Sequence, residues 1–148
     1  NAFLIIQGLE TLPLRIARHS ENAQAVAAYL NDHPKVSKTI HPSLMSGEPR
    51  RRADAVLSGG YGGLCGFELK GGLEAGKSFI DGLEMFYHLA NIGDARSLAI
   101  HPASTTHSQL TPDEQLATGV TDGYVRLSVG LEHIDDIIAD LAQALDKA

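Results

Sequence analysis

The sequence has little cysteine, little basic charge and no long apolar run, and each shortage excludes a class of protein. The single cysteine, Cys65, excludes an intramolecular disulfide framework, and its apolar surroundings predict a buried structural thiol. Twelve lysines and arginines stand against eighteen aspartates and glutamates, and the formal net charge is -6. That balance argues against a nucleic-acid-binding surface. The only local basic run, at 50–52, is predicted to be a solvated helix face.

No stretch approaches the roughly 20 apolar residues that a helix needs to span a bilayer. No basic segment followed by an apolar one resembles a secretory leader. We therefore expect a soluble, cytoplasmic protein.

The chain is long enough, at 148 residues, for one domain with a real core. It begins at Asn1, without methionine, and apolar residues already recur there at helical spacing, as far as Leu30. We expect one long helix over 1–30, kinked or restarted near Pro13, and a chain that belongs to a longer polypeptide.

Alternation and turn signals predict short strands at 36–40, 65–69, 86–91, 97–100 and 124–129. Helices are expected at 50–57, 73–83 and 134–145, and a capping box at Thr111 and Glu114 predicts another short helix. The glycine run at 59–63 does not join a strand to a helix, so it is interpreted as a turn and not as a phosphate-binding loop. The predicted fold is α+β, a small mainly antiparallel sheet with helices packed on one face.

Arg126 is the most informative residue of the 124–129 strand. Alternation places Val125 and its apolar partners on one face and Arg126 on the other. A guanidinium can grip a carboxylate with two parallel hydrogen bonds, so Arg126 could bind an anionic small molecule. A surface ion pair is the alternative for an arginine on a strand.

Three segments in order carry a family resemblance. They are GLETL at 8–12 with Arg15, HPASTTHS at 101–108, and RLSVGLE at 126–132. Together they resemble the C-terminal part of the Cys/Met-metabolism family of pyridoxal-phosphate enzymes, and within it the O-acetylhomoserine sulfhydrylases. The resemblance covers the whole chain and is weakest at 43–60.

The resemblance implies the C-terminal domain of a fold-type I transferase, with a linking helix at 1–30 and a substrate-carboxylate-binding domain at 31–148. A small-molecule amino acid would bind through Arg126, Asn91, Ile92 and Thr106. Many relatives have serine at the position of Asn91, a departure that fits the sulfhydrylase branch. Pyridoxal phosphate is implied for the full-length enzyme, in a preceding cofactor domain, and the assembly is implied to be a homotetramer.

No lysine of this chain lies in a segment that resembles the family's cofactor-bearing one, so no covalently bound cofactor and no catalytic residue are expected here. The implied reaction replaces the acetate of O-acetylhomoserine by sulfide or a thiol, in the biosynthesis of homocysteine or methionine. Methionine γ-lyase, a cystathionine synthase or lyase, and a non-catalytic assembly module remain alternatives.

His101 and His107 are the only histidines close enough in sequence to suggest a metal pair. No third ligand stands at a metal-site spacing from them. We therefore expect no metal.

Overall fold

The computed structural model describes residues 2–148. The N-terminal helical pattern forms two helices, α1 (Ala2–Glu10) and α2 (Leu12–Asn31), which are separated at Thr11. Pro13 lies in the first turn of α2, where its missing N–H would have no intrahelical partner. The expected restart near Pro13 is confirmed.

The remaining elements follow in the expected order. The helices are α3 (Gly47–Val56), α4 (Gly72–Gly82), α5 (Pro112–Ala117) and α6 (Ile134–Lys147), and the strands are β1 (Val36–Ile40), β2 (Leu64–Leu69), β3 (Tyr87–His88), β4 (Leu98–Ile100) and β5 (Tyr124–Ser128). α3 begins three residues earlier than the basic run suggested, and β3 forms over only two residues of the predicted segment. The Thr111 capping box is present, with both of its reciprocal hydrogen bonds.

The five strands form one sheet in the order β1-β2-β5-β4-β3. β1, β2, β5 and β4 pair antiparallel in turn, and only the short edge strand β3 is parallel to its neighbour. The predicted α+β class and the mainly antiparallel sheet are confirmed. β5 lies at the centre of the sheet, so its side chains have neighbours on both sides.

The core lies between one face of this sheet and the helices α2, α4 and α6. Phe67 of β2 meets Phe79 of α4 edge to face, with ring centroids 5.3 Å apart. Val125 and Leu127 of β5 are completely buried on this side, and so is Leu141 of α6. Since strand side chains alternate, the opposite face of β5 carries Arg126.

The basic run is solvated only in part, and the buried cysteine is as expected. Arg51 and Arg52 are exposed on α3, where both reach Glu48, whereas Arg50 is half-buried and pairs with Asp54. Cys65 is a buried free thiol. No helix within residues 2–148 is long and apolar enough to cross a membrane.

Candidate functional site

Arg126 lies in the central strand β5, opposite Gly66 of β2 and Ile100 of β4. Its neighbours Val125 and Leu127 point into the core, so Arg126 points to the face that the three packing helices do not cover. The predicted alternation is confirmed. A central strand holds the Cα of Arg126 rigidly. A side chain that must bind a ligand in one defined geometry needs such a fixed position.

The guanidinium of Arg126 is almost free of protein partners. Nη2 donates one hydrogen bond, of 3.3 Å, to the backbone carbonyl of Asn91. Nε is buried and has no hydrogen-bond partner among residues 2–148. No carboxylate in that range forms an ion pair with Arg126, so the surface ion pair considered above is not observed. A buried N–H without an acceptor is costly, and this one indicates a missing acceptor.

Arg126 opens into a cleft of about 380 Å³. Met45, Tyr61, Leu64 and Tyr124 contribute to its walls. Burial raises the pKa of Tyr124, and the nearby positive charge of Arg126 opposes that shift. The cleft therefore combines one guanidinium with mainly apolar and aromatic walls, as small-molecule sites commonly do.

Gly66 allows this arrangement because it has no side chain. A Cβ at this position would lie 2.6 Å from the hydroxyl oxygen of Tyr124, whose ring therefore occupies the space above β2. A larger residue at 66 would displace that aromatic wall.

Tyr61 is fixed although it lies in the glycine-rich turn. Its hydroxyl donates a 2.6 Å hydrogen bond to Asp54 of α3, whose two oxygens also accept from Arg50 Nε at 2.9 Å. The hydrogen bonds from Tyr61 and then Arg50 lower the pKa of the Asp54 carboxyl. The guanidinium of Arg50 also lies 5.3 Å from the centre of the Tyr61 ring.

Of the two residues that the resemblance implied near Arg126, Asn91 contacts it directly and Ile92 is the next residue along the chain. Asn91 contacts Arg126 through its backbone carbonyl, and its side-chain Oδ1 accepts from Ile92 N at 2.9 Å. Ile92 is 61% exposed and lines a second cleft, of about 270 Å³, which shares Tyr61 and Leu64 with the first. The two clefts therefore meet at these shared side chains.

Thr106 does not join this group by any hydrogen bond in the part of the chain that the structure describes. It is exposed, and its hydroxyl lies 2.9 Å from Nδ1 of His107. The neighbouring His101 is buried, with Nε2 donating to the carbonyl of Asp122 at 2.7 Å and Nδ1 2.8 Å from the hydroxyl of Ser104. The structure thus joins Arg126 to Asn91, places Ile92 in the adjoining cleft, and leaves Thr106 outside these contacts.

The lysines are held by contacts elsewhere. Lys35 donates to carbonyls at the end of α6, Lys70 to Pro34, and Lys38, Lys77 and Lys147 approach Glu68, Glu74 and Glu84. None of the five lines the Arg126 cleft. Within residues 2–148, no three histidine, cysteine or acidic side chains are grouped so as to hold a metal.

Sequence reasoning missed the cleft walls and the residues that hold the 91–97 segment. Tyr124 could have been found, because it stands two positions before Arg126 on the same strand face. Tyr61 and Met45 reach the cleft only through the tertiary fold, and no local pattern marks them.

The comparison with known proteins identifies the family. The family described as Cys/Met metabolism PLP-dependent enzyme matches residues 1–146. The chain belongs to this family. Its members are dependent on pyridoxal phosphate, the cofactor that the motifs implied.

Individual relatives place the chain near the sulfhydrylases. The O-acetyl-L-homoserine sulfhydrylase of Leptospira meyeri is 58% identical over 98% of this chain and 33% of its own length. The homocysteine synthase of Schizosaccharomyces pombe is 50% identical over 99% of this chain and 34% of its own. The L-methionine gamma-lyase of Pseudomonas putida is 47% identical over 98% and 36%. The chain thus spans about a third of the length of these relatives.

A solved structure supports the same fold. This chain superposes with a TM-score of 0.91 on a structure from Campylobacter jejuni that is described as an O-acetylhomoserine (thiol)-lyase. That structure contains N′-pyridoxyl-lysine-5′-monophosphate. The two are 45% identical, and the match covers 99% of this chain and 35% of the other.

Proposed function

We propose that this chain is the substrate-carboxylate-binding part of a longer pyridoxal-phosphate-dependent O-acetylhomoserine sulfhydrylase. The intact enzyme would replace the acetate of O-acetylhomoserine by sulfide or a thiol, giving homocysteine or methionine. The observation that carries this proposal is the unoccupied donor set of Arg126, whose Nε is buried without a partner at the edge of a cleft. The sulfhydrylase relatives supply the reaction class.

The proposed role of Arg126 is to bind the α-carboxylate of the amino acid. Its hydrogen bond to the carbonyl of Asn91 orients the guanidinium plane and leaves other N–H groups for the substrate. Two parallel charge-assisted hydrogen bonds would fix both the position and the rotation of the carboxylate. Holding the substrate in this way aligns the bond to be broken at Cα with the reacting group and removes an entropic cost from the reaction.

Asn91 and Ile92 are proposed to border the same substrate, Asn91 through its backbone and Ile92 through its apolar side chain. Thr106 is proposed as a more distant contributor to the carboxylate site. This role requires a rearrangement of its exposed hydroxyl, which now lies beside His107.

The residues of this chain do not fit a covalent cofactor site, since its lysines are engaged away from the cleft. We propose that a lysine in a preceding domain binds pyridoxal phosphate, with residues 1–30 as the linking segment and 31–148 as the substrate-binding domain. When bound, the cofactor supplies an electron sink for chemistry at the amino-acid Cα.

The assembly and its compartment also belong to the proposal. We propose a homotetramer, in which apolar side chains of α1 are covered by other parts of the enzyme. A buried free thiol at Cys65 is compatible with a reducing, cytoplasmic location.

The direct test is an assay of the full-length protein that contains this chain, loaded with pyridoxal phosphate. Incubation with O-acetyl-L-homoserine and sulfide is expected to yield homocysteine and acetate. The Arg126→Ala variant should lose most of this activity while its cofactor absorbance stays intact. Normal turnover by that variant would show that the assigned role is wrong.

Methionine γ-lyase is the second candidate, because a lyase that is 47% identical also matches nearly the whole chain. The same preparation given L-methionine alone distinguishes the two. Rapid release of methanethiol, without homocysteine formation in the first assay, would favour the lyase.

A further inference from the structure

Residues 91–97, which run from Asn91 to Ser97, are attached at four successive points to residues 126–132, which comprise the second half of β5 and the loop that follows it. Arg126 Nη2 donates to the carbonyl of Asn91 at 3.3 Å, and Gly93 N donates to Ser128 Oγ at 3.2 Å. Leu131 N then donates to the carbonyl of Ala95 at 2.9 Å. The fourth attachment is between Ser97 and Glu132. The loop beside the guanidinium is therefore held along its whole length.

The Ser97–Glu132 attachment uses both hydrogen-bond donors of Ser97. Glu132 Oε1 accepts from Ser97 N at 2.7 Å, and Oε2 accepts from the Ser97 hydroxyl at 2.9 Å. The same hydroxyl oxygen accepts from Gly130 N at 2.8 Å. Ser97 is completely buried, so loss of the carboxylate would leave its two donors unpaired in the interior.

Gly130 shows that this contact is tightly packed. A Cβ at position 130 would lie 2.5 Å from Ser97 N and 2.6 Å from the carbonyl of Ala95, and closer still to Glu132 Oε2. Asn22 of α2 adds a brace, since its Nδ2 donates to the carbonyls of Gly130 and Glu132, each at 3.0 Å.

We propose that Glu132 is a positioning residue for substrate-carboxylate binding. It anchors the 91–97 segment through Ser97, and that segment in turn orients the guanidinium of Arg126 through the carbonyl of Asn91. The inference rests on the proposed function of Arg126. Glu132 is the last residue of the RLSVGLE motif. It does not line the Arg126 cleft, and the inference gives it a role.

The physical basis is that, among residues 2–148, Arg126 makes a single side-chain hydrogen bond that fixes its guanidinium plane. When Ser97 is no longer bound to a carboxylate, the segment can shift, and the carbonyl of Asn91 shifts with it. A bidentate contact depends on that plane, whereas contacts to the rest of the substrate do not. Loss of Glu132 should therefore weaken carboxylate recognition selectively.

The test compares L-alanine with L-alaninamide as competitive inhibitors of the full-length enzyme loaded with pyridoxal phosphate. The two ligands differ only in the carboxylate, so the ratio of their inhibition constants reports how well that group is recognised. Glu132→Ala is expected to reduce the preference for alanine about tenfold, with the alaninamide constant and the cofactor absorbance unchanged. Glu74→Ala, at an exposed glutamate on α4, is the matched control and should retain the wild-type ratio.

Two further variants separate positioning from general stability. Glu132→Gln keeps an oxygen for Ser97 N and should restore part of the preference. Ser97→Ala removes the hydroxyl alone and should act in the same direction as Glu132→Ala, which keeps the test informative if the latter folds poorly.

An unchanged ratio in Glu132→Ala, or an equal weakening of both ligands, would overturn the inference. Arg126→Ala distinguishes this failure from that of the proposed function. If Arg126→Ala itself retained the preference for alanine, the carboxylate role of Arg126 would fail first.

Discussion

Cys65 shows how strongly the burial and the reactivity of a side chain depend on its position in the sheet. It stands one position before Gly66 in β2, yet its side chain is 1% exposed and faces the core, opposite Leu127 of β5. Burial raises the pKa of its thiol to about 12. Since the thiolate is the reactive form, the native protein holds almost none of it at neutral pH.

Cys65 should therefore resist alkylation by iodoacetamide at pH 8 in the folded chain. In 6 M urea the same thiol should react at the rate of a free cysteine, because unfolding removes the desolvation. Mass spectrometry of timed samples measures both rates. Rapid labelling of the folded chain, at a rate that does not depend on denaturant, would contradict the burial of this strand.

His41 gives a pH dependence with a defined sign. It is 1% exposed, and burial lowers its pKa, while the Gly62 backbone partly opposes the shift. The unfolded chain therefore takes up a proton near pH 6.5 and the folded chain only at lower pH. The contribution of His41 to stability is complete above pH 6.5, and it is lost as the pH falls towards the pKa of His41 in the folded chain.

Urea titrations at pH 7.5 and pH 5.5 should show a smaller free energy of unfolding at the lower pH. His41→Gln should reduce this difference, whereas His88→Gln, at an exposed position, should not. An equal pH dependence in the wild type and His41→Gln would show that other groups control acid stability.

At the scale of elements, α5 is the helix whose start the sequence specifies most completely. Thr111 Oγ1 accepts from Glu114 N at 3.4 Å, and Glu114 Oε2 accepts from Thr111 N at 2.8 Å. The hydrogen bond from the Thr111 backbone N–H lowers the pKa of the Glu114 carboxyl most, and the hydrogen bond from the Thr111 hydroxyl lowers it further. Pro112 occupies the first turn, where its missing donor is harmless.

Thr111→Ala should destabilise the chain by about 1 kcal/mol, the usual cost of losing an N-cap side chain. The urea midpoint of the variant reports this change. Ser78→Ala, at an exposed position within α4, serves as the control and should change stability by much less. A Thr111 variant as stable as the wild type would mean that α5 is held by its tertiary contacts alone.

The elements also show where sequence patterns stop being informative. Alternation in β5 correctly placed Arg126 away from the core, because the period of a strand is fixed by its backbone. The 89–97 loop could not be positioned in this way. Its hydrogen bonds to β5 join residues about 35 apart in sequence, such as Gly93 and Ser128. Only the resemblance to the family pointed to Asn91 and Ile92.

At the scale of the whole molecule, α1 is a helix that contributes no buried side chain to the core. None of its residues is buried, and Phe3, Leu4 and Ile6 are 72%, 67% and 59% exposed. Over residues 2–30 the apolar periodicity predicted helix correctly apart from the break at Thr11, and Asn1 lies outside the described residues. The periodicity did not distinguish the packed part, with Val26 and Leu30, from this uncovered part. Periodicity records which face is apolar and not what covers it.

An apolar helix of this kind should associate when the chain is studied alone. Multi-angle light scattering is expected to give an apparent mass above 15.8 kDa that rises with concentration. Replacing Leu4 and Ile6 together by glutamate should return the mass to that of a monomer with an unchanged melting temperature. A concentration-independent monomer in the wild type would contradict this prediction.

The most direct test of the central claim is the substitution of Arg126 in the full-length enzyme by lysine and by alanine. Charge-assisted hydrogen bonds contribute about 1.5–3 kcal/mol each, so losing the fork should lower kcat/KM for O-acetyl-L-homoserine about tenfold in Arg126→Lys. Arg126→Ala should lower it about 100-fold or more, since each 1.36 kcal/mol is a factor of about ten. Cofactor absorbance should be the same in all three proteins. Wild-type kcat/KM in Arg126→Ala would contradict the account, and wild-type kcat/KM in Arg126→Lys alone would contradict the bidentate geometry.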